Sequence, residues 1–371
     1  MVRNRNMDIF RSIALLTVMV YHFWVVTGSF SFLPSPVTTL ISLGGEIGVT
    51  AFFALSGFGI FCSLKKEESE KQKFSISNYV KRRAIRIIPL YYISILFTLL
   101  LINAQSLSVD GVKDILAHIF FIHNIFPQYH GSINGVLWTM GVIVQFYIIA
   151  PLLYRAFRAK GYLTEIICII TTCFLKGITY HYFLPTLGLE NYSFIYGRQL
   201  FTALDNFSTG MFVAWLLYER RMKIKNGIKK CIFFLLTLFL LFLLCKSGIR
   251  LGIHTNNISG YIWHSLLAGI IGVLMFIFSQ LNLEKANYIV KMFLWISKYE
   301  YGIYIWHLLI FNNLIATSSL VKNAVENSAQ VLLLIPFLTS AIFCGFLFTK
   351  MTDKFCFKSL GGNFKCLPKE K

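Results

Sequence analysis

Long apolar runs separated by short polar segments repeat from one end of this chain to the other. Ten such runs stand out, at residues 7–27, 40–63, 88–104, 134–154, 162–183, 199–219, 231–245, 260–281, 289–315 and 328–349. A membrane-crossing helix needs about 20 mostly apolar residues, so ten of them use roughly 200 and leave little chain for another folded unit. The pattern predicts an all-α integral membrane protein of about ten transmembrane helices. A transmembrane domain is expected over residues 1–350, followed by a short basic tail over 351–371. Two connectors are long enough to matter. In the stretch 105–133, Val112–Ile122 reads as a re-entrant or surface helix, broken by Pro127 and Gly131. The connector 65–81 leads into Lys81-Arg82-Arg83-Ala84-Ile85-Arg86 and then Pro89. Proline suits the first turn of a helix, so Pro89 is expected to open the third span. No internal repeat and no low-complexity tail is visible.

Composition sharpens the class. Of 371 residues, 56% are hydrophobic and 14% charged, and the mean hydropathy is +0.65. Soluble domains run near 45–50% apolar and about 25% charged. That deficit of charge excludes a soluble enzyme, a disordered chain and a disulfide-stapled secreted domain. Lys and Arg number 35 against 16 acids, a formal net charge of +19. On a soluble chain this excess would point to nucleic acid. Here the cations sit between apolar runs, where they set topology and meet anionic membrane lipids, so no nucleic-acid partner is expected. With the N-terminus inside, 27 of them fall in inside segments and 5 in outside ones. That asymmetry puts both termini in the cytoplasm and requires an even number of spans. Eight cysteines show no CxxC spacing and none lies in a predicted outside loop, which suggests neither a disulfide framework nor a metal site. The first run is long and carries Arg11 and His22, unlike a cleavable signal peptide.

Ionisable side chains within hydrocarbon are costly, about 2.5–3.5 kcal/mol for a central Arg on insertion scales, so each is a candidate site by default. The first span holds Asp8, Arg11 and His22. Eleven helical steps leave Arg11 and His22 only about 20° apart in azimuth and about 16 Å apart along the axis, so both line one face. Asp8, one turn below Arg11, is placed to pair with it. The structural alternative is that Asp8 and Arg11 anchor a helix end while His22 hydrogen-bonds at a helix interface. Other polar groups lie at the depth of His22: Glu46 opening the second span, Trp138 and Thr139 early in the fourth, Asp205 in the outer half of the sixth, and His307 late in the ninth. A histidine oriented by a carboxylate is what proton transfer requires, yet which carboxylate serves His22 is not readable. Asp8 lies about 20 Å below it on the same helix. On the inside, Arg82, Arg83 and Arg86 cluster before the third span, with Arg83 and Arg86 on one face. Arginine suits bidentate phosphate binding, although the positive-inside rule alone accounts for such clusters. Cationic groups inside and a His about 16 Å further along one helical face would fit a donor with a phosphate-rich head and a long thin arm, the shape of a coenzyme A thioester.

The residues also carry a family resemblance. Asp8…Arg11-x10-His22, Gly48-Val49-Thr50-Ala51-Phe52-Phe53-Ala54-Leu55-Ser56-Gly57-Phe58, Arg82-Arg83-Ala84-Ile85-Arg86-Ile87-Ile88-Pro89, Leu137-Trp138-Thr139-Met140…Gln145-Phe146-Tyr147…Pro151 and Tyr304…His307 occur in order over nearly the whole chain. In these blocks the chain resembles the membrane-bound acyltransferase 3 family, which includes bacterial surface-glycan O-acyltransferases. The resemblance implies an enzyme of a bacterial inner membrane that uses acyl-CoA, most often acetyl-CoA, as donor substrate and a glycan or glycolipid as acceptor. It implies His22 as the catalytic histidine, with Arg11 holding the donor or shaping the site. It also implies Arg83 and Arg86 at the CoA phosphates, with Arg82 among the substrate-binding candidates, and Ser56 near the site though not as a nucleophile. Trp138, Tyr147, His307, Glu46 and Asp8 complete the candidate substrate-binding set. One departure stands out: where many members carry a Glu between the Trp and the Phe-Tyr, this chain has Ile143. If that Glu assists catalysis elsewhere, its role here is absent or moved. Two non-enzymatic classes compete, a transporter or flippase of a glycan or lipid, and an inactive relative. No inverted repeat or paired broken helices favour a transporter.

Overall fold

The computed structural model describes residues 4–30, 33–69, 75–101, 109–188, 196–251, 258–283, 287–317 and 330–359. Among them are eleven α-helices: α1 (Arg5–Val26), α2 (Ser35–Ser42), α3 (Gly44–Ser69), α4 (Ile76–Leu101), α5 (Val109–Ile119), α6 (Trp138–Leu187), α7 (Leu204–Tyr218), α8 (Gly227–Leu251), α9 (Ile258–Phe278), α10 (Tyr288–Thr317) and α11 (Gln330–Ser359). Each of the ten apolar runs contributes to one of these helices. Six helices are long and apolar enough to cross a membrane, α1, α3, α4, α6, α8 and α11, and α9 contributes a shorter apolar stretch over Ile262–Phe278. Side chains such as Ile148, Leu152, Leu235, Phe239, Leu332 and Ile335 face outwards, as suits helices bathed in hydrocarbon rather than water.

α1 starts where Asn4 turns its side chain back to accept from the main-chain N–H of Asn6 and Met7, at 3.1 and 3.3 Å. Asp8 in its first turn complements the helix dipole. α3 runs antiparallel to α1 at close range. Gly44, Gly45 and Gly48 face Thr17, Tyr21 and Val18, where a Cβ would collide. On its other side α3 lies parallel to α7: Phe53 stacks on Phe207 with centroids 4.6 Å apart, and Lys65 pairs with Glu219. Gly57 and Gly210 allow the two backbones to touch. α10 lies parallel to α1, with Ser12 Oγ donating to Phe293 O at 2.5 Å near one end and His22 meeting His307 near the other. α1, α3 and α10 thereby form the centre, and α4, α6 and α7 flank it.

Two expectations meet corrections. Pro89 does not open a helix. It lies inside α4, which begins at Ile76. The Arg82–Arg86 cluster therefore rides on this helix rather than preceding it. Proline is tolerated inside a helix where packed neighbours support the backbone, and α10 packs here, with Tyr301 Oη donating to Ile87 O at 2.9 Å. The short helix expected over Val112–Ile122 is α5, shifted to Val109–Ile119 and followed by two 3-10 turns. α11 continues past residue 350 to Ser359, and the rest of the expected tail lies outside the described residues.

α6 is continuous in name only. Lys160 has non-helical dihedrals, φ −145° and ψ 66°. Before it, Phe146 stacks on Phe207 and Arg158 Nε reaches Glu219 at 3.5 Å, so this arm runs parallel to α7. After it, Tyr162 meets Trp215, Glu165 accepts from Thr209 and Thr172 accepts from the Asp205 N–H, so the second arm runs antiparallel. The chain reverses at one residue, between the runs 134–154 and 162–183.

Between α4 and α6 lies the α5 segment with its following turns. Tyr79 Oη donates to Tyr147 O at 3.0 Å and joins α4 to α6 at one end. Further along, Tyr91 and Tyr92 donate to the carbonyls of His118 and Ile119, and Gln145 Nε2 donates to Phe121 O and Asn124 Oδ1. His118 and His123 stack at 3.9 Å, and His130 stacks on Trp138. Burial holds His123 down to about 3, helped by His118, and burial likewise holds His130 down to about 4. An unfolded histidine titrates near 6.5. The unfolded chain therefore takes up protons that the folded one refuses, and stability present above about pH 6.5 is lost as pH falls towards 3–4. Thermal unfolding of the detergent-solubilised protein is expected to show this acid slope. His123→Asn should flatten it, and an unchanged slope would contradict the assignment.

Candidate active site

Five helices surround a cavity with about 770 Å³ of empty volume. α1 supplies Arg11, α3 supplies Ser56 and Gly59, α4 supplies Arg83 and Arg86, α6 supplies Ile143 and Tyr147, and α10 supplies Glu300 and Tyr304. Arg11 Nε contacts Glu300 Oε2 at 3.1 Å and its Nη1 lies 4.0 Å from Asp8. Arg83 sits between the Tyr79 and Tyr147 rings, 5.6 and 5.5 Å from their centroids, and its Nε has no hydrogen-bond partner. Arg86 is accessible from the cavity. Among the described residues neither Arg83 nor Arg86 forms an ion pair, so both guanidinium forks are free to bind an anion. A second cavity of about 750 Å³ opens beside the first. It shares Arg11, Arg86, Glu300 and Tyr301 with it and adds Asp8, Lys298 and Asp353.

Towards the other end of α1 lies a smaller cavity of about 360 Å³, lined by Tyr21, His22, Glu46, Trp138 and Arg198. Val49 and Tyr304 line both this cavity and the arginine cavity. His22 Nδ1 is 2.8 Å from His307 Nε2, and His307 Nδ1 is 2.6 Å from Tyr304 O. Tyr304 Oη accepts from Thr139 Oγ1 at 3.1 Å. Arg198 pairs with Glu46 at 2.8 Å and lies over the Trp138 ring at 5.3 Å, while His264 approaches Glu46 at 3.6 Å. Among the described residues no cluster of three or more His, Cys, Asp or Glu side chains is arranged to hold a metal ion.

The fold thus gathers Arg11, Ser56, Arg83, Arg86 and Tyr147 around one cavity, Asp8 at its neighbour, and His22, Glu46 and Trp138 around the smaller one, with His307 behind His22. Arg82 is not brought in. It pairs with Glu67 at the protein surface, because one helical step from Arg83 turns it about 100° away. Asp205 is also elsewhere, 1% exposed and bound by Ser265 Oγ at 2.5 Å, with Lys176 3.9 Å away. The residues missed in the sequence are Glu300, Tyr301 and Arg198. Glu300 had a legible signal, as the one acid in the run 289–315. Arg198 had none beyond being a rare cation in an outside segment. The cavity lined by Ile143 holds one carboxylate, that of Glu300.

Helices that expose apolar side chains outwards and gather arginines and histidines inwards define a multi-pass membrane protein with an internal polar site. Its residues 4–350 match the acyltransferase domain of the acyltransferase 3 family, and the chain belongs to that family. It is 24% identical over 300 residues to ORF330 of Acidianus two-tailed virus, an acetyltransferase by name, covering 81% of each chain. It is 28% identical over 161 residues to the O-acetyltransferase OatA of Staphylococcus aureus strain NCTC 8325 / PS 47, covering 40% of this chain and 24% of that one. A further S. aureus relative from strain COL, SACOL0978, an O-acetyltransferase by name, is 24% identical over 343 residues, covering 83% of this chain and half of the other. The chain thus spans only part of the two staphylococcal proteins. No solved structure gives a significant match.

Proposed function

We propose that the protein is a membrane O-acetyltransferase that moves an acetyl group from cytoplasmic acetyl-CoA to a hydroxyl of a sugar in an extracytoplasmic or lipid-linked glycan. In this reading the two arms of α6 each cross the membrane, as do α7, α9 and α10, giving ten spans with both termini in the cytoplasm. The excess of cations in the inside segments supports that orientation. The arginine cavity then opens on the cytoplasmic side and the His22 cavity faces the acceptor side.

One observation carries the reading: the cavity holding Arg83 and Arg86, which form no ion pair among the described residues, shares its rim, Val49 and Tyr304, with the cavity holding His22. The donor's phosphates would bind Arg83 and Arg86. Its thin arm would follow the Arg11–His22 face of α1 for about 16 Å and bring the thioester to the histidine. His22 removes the hydroxyl proton while the oxygen attacks the acyl carbon. The carbon–sulfur bond breaks, and the proton passes to the departing thiolate. On the acceptor side, the Tyr21 ring lies beside the polar groups of Glu46 and Arg198, a mixture that suits a sugar. The names of the relatives agree with O-acetylation.

The test is the purified protein in proteoliposomes with [acetyl-14C]acetyl-CoA and glycan acceptors. Label should become covalently attached to the glycan, and mass spectrometry should place it as an ester. Glycan that crosses the bilayer without gaining an acetyl group would mean a transporter instead.

A further inference from the structure

We propose that His307 is the positioning residue that makes His22 a base, and that a main-chain carbonyl, not a carboxylate, sets the proton arrangement of the pair. The proposal rests on the reading of His22 as general base. It starts from Tyr304 O, which has no proton to give. His307 Nδ1 lies 2.6 Å from it and must therefore be the protonated nitrogen. In a neutral ring this leaves Nε2 with a lone pair. That lone pair faces His22 Nδ1 at 2.8 Å, so His22 Nδ1 must carry the shared proton. The remaining nitrogen of His22, Nε2, is then unprotonated, on a ring that lines the cavity of Glu46, Arg198 and Trp138.

The surroundings favour the neutral pair. Among the described residues neither ring forms an ion pair with a carboxylate. Glu46, the carboxylate that lines the His22 cavity, is engaged by Arg198 at 2.8 Å and approached by His264. The aromatic neighbours Tyr304 and Phe311 pack against His307, and His307 itself is 0% exposed. Fixing a tautomer is the part a buried Asp plays in a Ser-His-Asp triad. Here a helix carbonyl and a second imidazole do it without placing a bare anion among apolar helices, where it would be costly. During transfer the acceptor's proton goes to His22 Nε2. The imidazolium so formed keeps its Nδ1–H on His307 Nε2, and its charge is shared across that contact. As the carbon–sulfur bond breaks, the same proton leaves for the thiolate sulfur, and both rings return to their starting state with no net proton gained or lost.

The test compares His307→Phe, which keeps the ring and cannot accept a hydrogen bond, with His307→Gln, whose carbonyl oxygen can. His22→Ala is the control, and all are assayed as full-length protein in proteoliposomes with acetyl-CoA. His307→Phe is expected to lower kcat about 10²-fold with KM for acetyl-CoA within about twofold, because the arginine cavity is untouched. His307→Gln should recover to within about tenfold of the native protein. Independently of folding in the variants, 15N NMR of histidine-labelled native protein should show His22 protonated at Nδ1 and bare at Nε2. A properly inserted Phe variant with native kcat, a Gln variant no better than Phe, or a His22 proton on Nε2 would overturn the role of His307. An active His22→Ala protein would instead remove the underlying assignment of the base, a different and separately visible result.

Discussion

His22→Ala is expected to reduce acetyl transfer by about 10³-fold or more, while the protein still inserts and purifies as native. The size of the loss follows from how little else is present. Among the described residues no other histidine lines the two cavities that Val49 and Tyr304 join. Without a base the acceptor oxygen must attack as a neutral alcohol. Alanine at this position removes no ion pair, so the packing of α1 on α3 and α10 persists through Gly44, Gly48 and Ser12. The readouts are single-turnover transfer from labelled acetyl-CoA and monodispersity in detergent. Transfer at the native rate by a monodisperse variant would rule out His22 as the base.

Glu300→Leu should be the most destabilising change in the arginine cavity. Glu300 is the direct partner of Arg11 at 3.1 Å, and both side chains are less than a fifth exposed. Removing one partner of such a pair leaves an uncompensated charge, at a cost of about 3–5 kcal/mol. Asp8, 4.0 Å from Arg11, is too distant to take over fully. SDS-titrated unfolding should show the loss, and Arg11→Leu combined with Glu300→Leu should recover part of it because the stranded cation is gone. A single variant as stable as the native protein would mean that water in the cavity already solvates Arg11. The Glu300 carboxylate also faces the cavity beside Ile143, so loss of activity in the milder Glu300→Gln, at native stability, would point to a chemical rather than a structural part.

What could be read in the sequence was what local periodicity dictates. Apolar runs predict helices because a main chain in hydrocarbon must satisfy its own polar groups, and each run indeed contributes residues to a helix. The 3.6-residue period placed Arg11 and His22 on one face of α1, and Arg83 and Arg86 together on α4, without any tertiary knowledge. The partner of His22 was beyond reach for a physical reason. His307 is 285 positions away, and only the sliding register of α10 against α1 decides whether it meets His22. Glu46 shows the same limit, since its bond to Arg198 joins residues 152 positions apart. Pro89 misled because a preference for helix starts holds in water and loosens where packed neighbouring helices support the backbone around a proline.

The reversal at Lys160 has a bearing on biogenesis. The arms before and after it, residues 138–159 and 161–187, are about 33 and 40 Å long, and no loop separates them. In the proposed ten-span arrangement both arms cross, so a ribosome feeding this stretch to the insertion machinery cannot park the first arm across the bilayer and wait. The second must follow as the other leg of a hairpin, with α7 arriving next to clasp both. Lengthening the turn with a glycine-serine spacer would decouple those events, and delayed or mis-threaded integration of the second leg, visible in pulse-labelling of nascent chains, is the anticipated consequence.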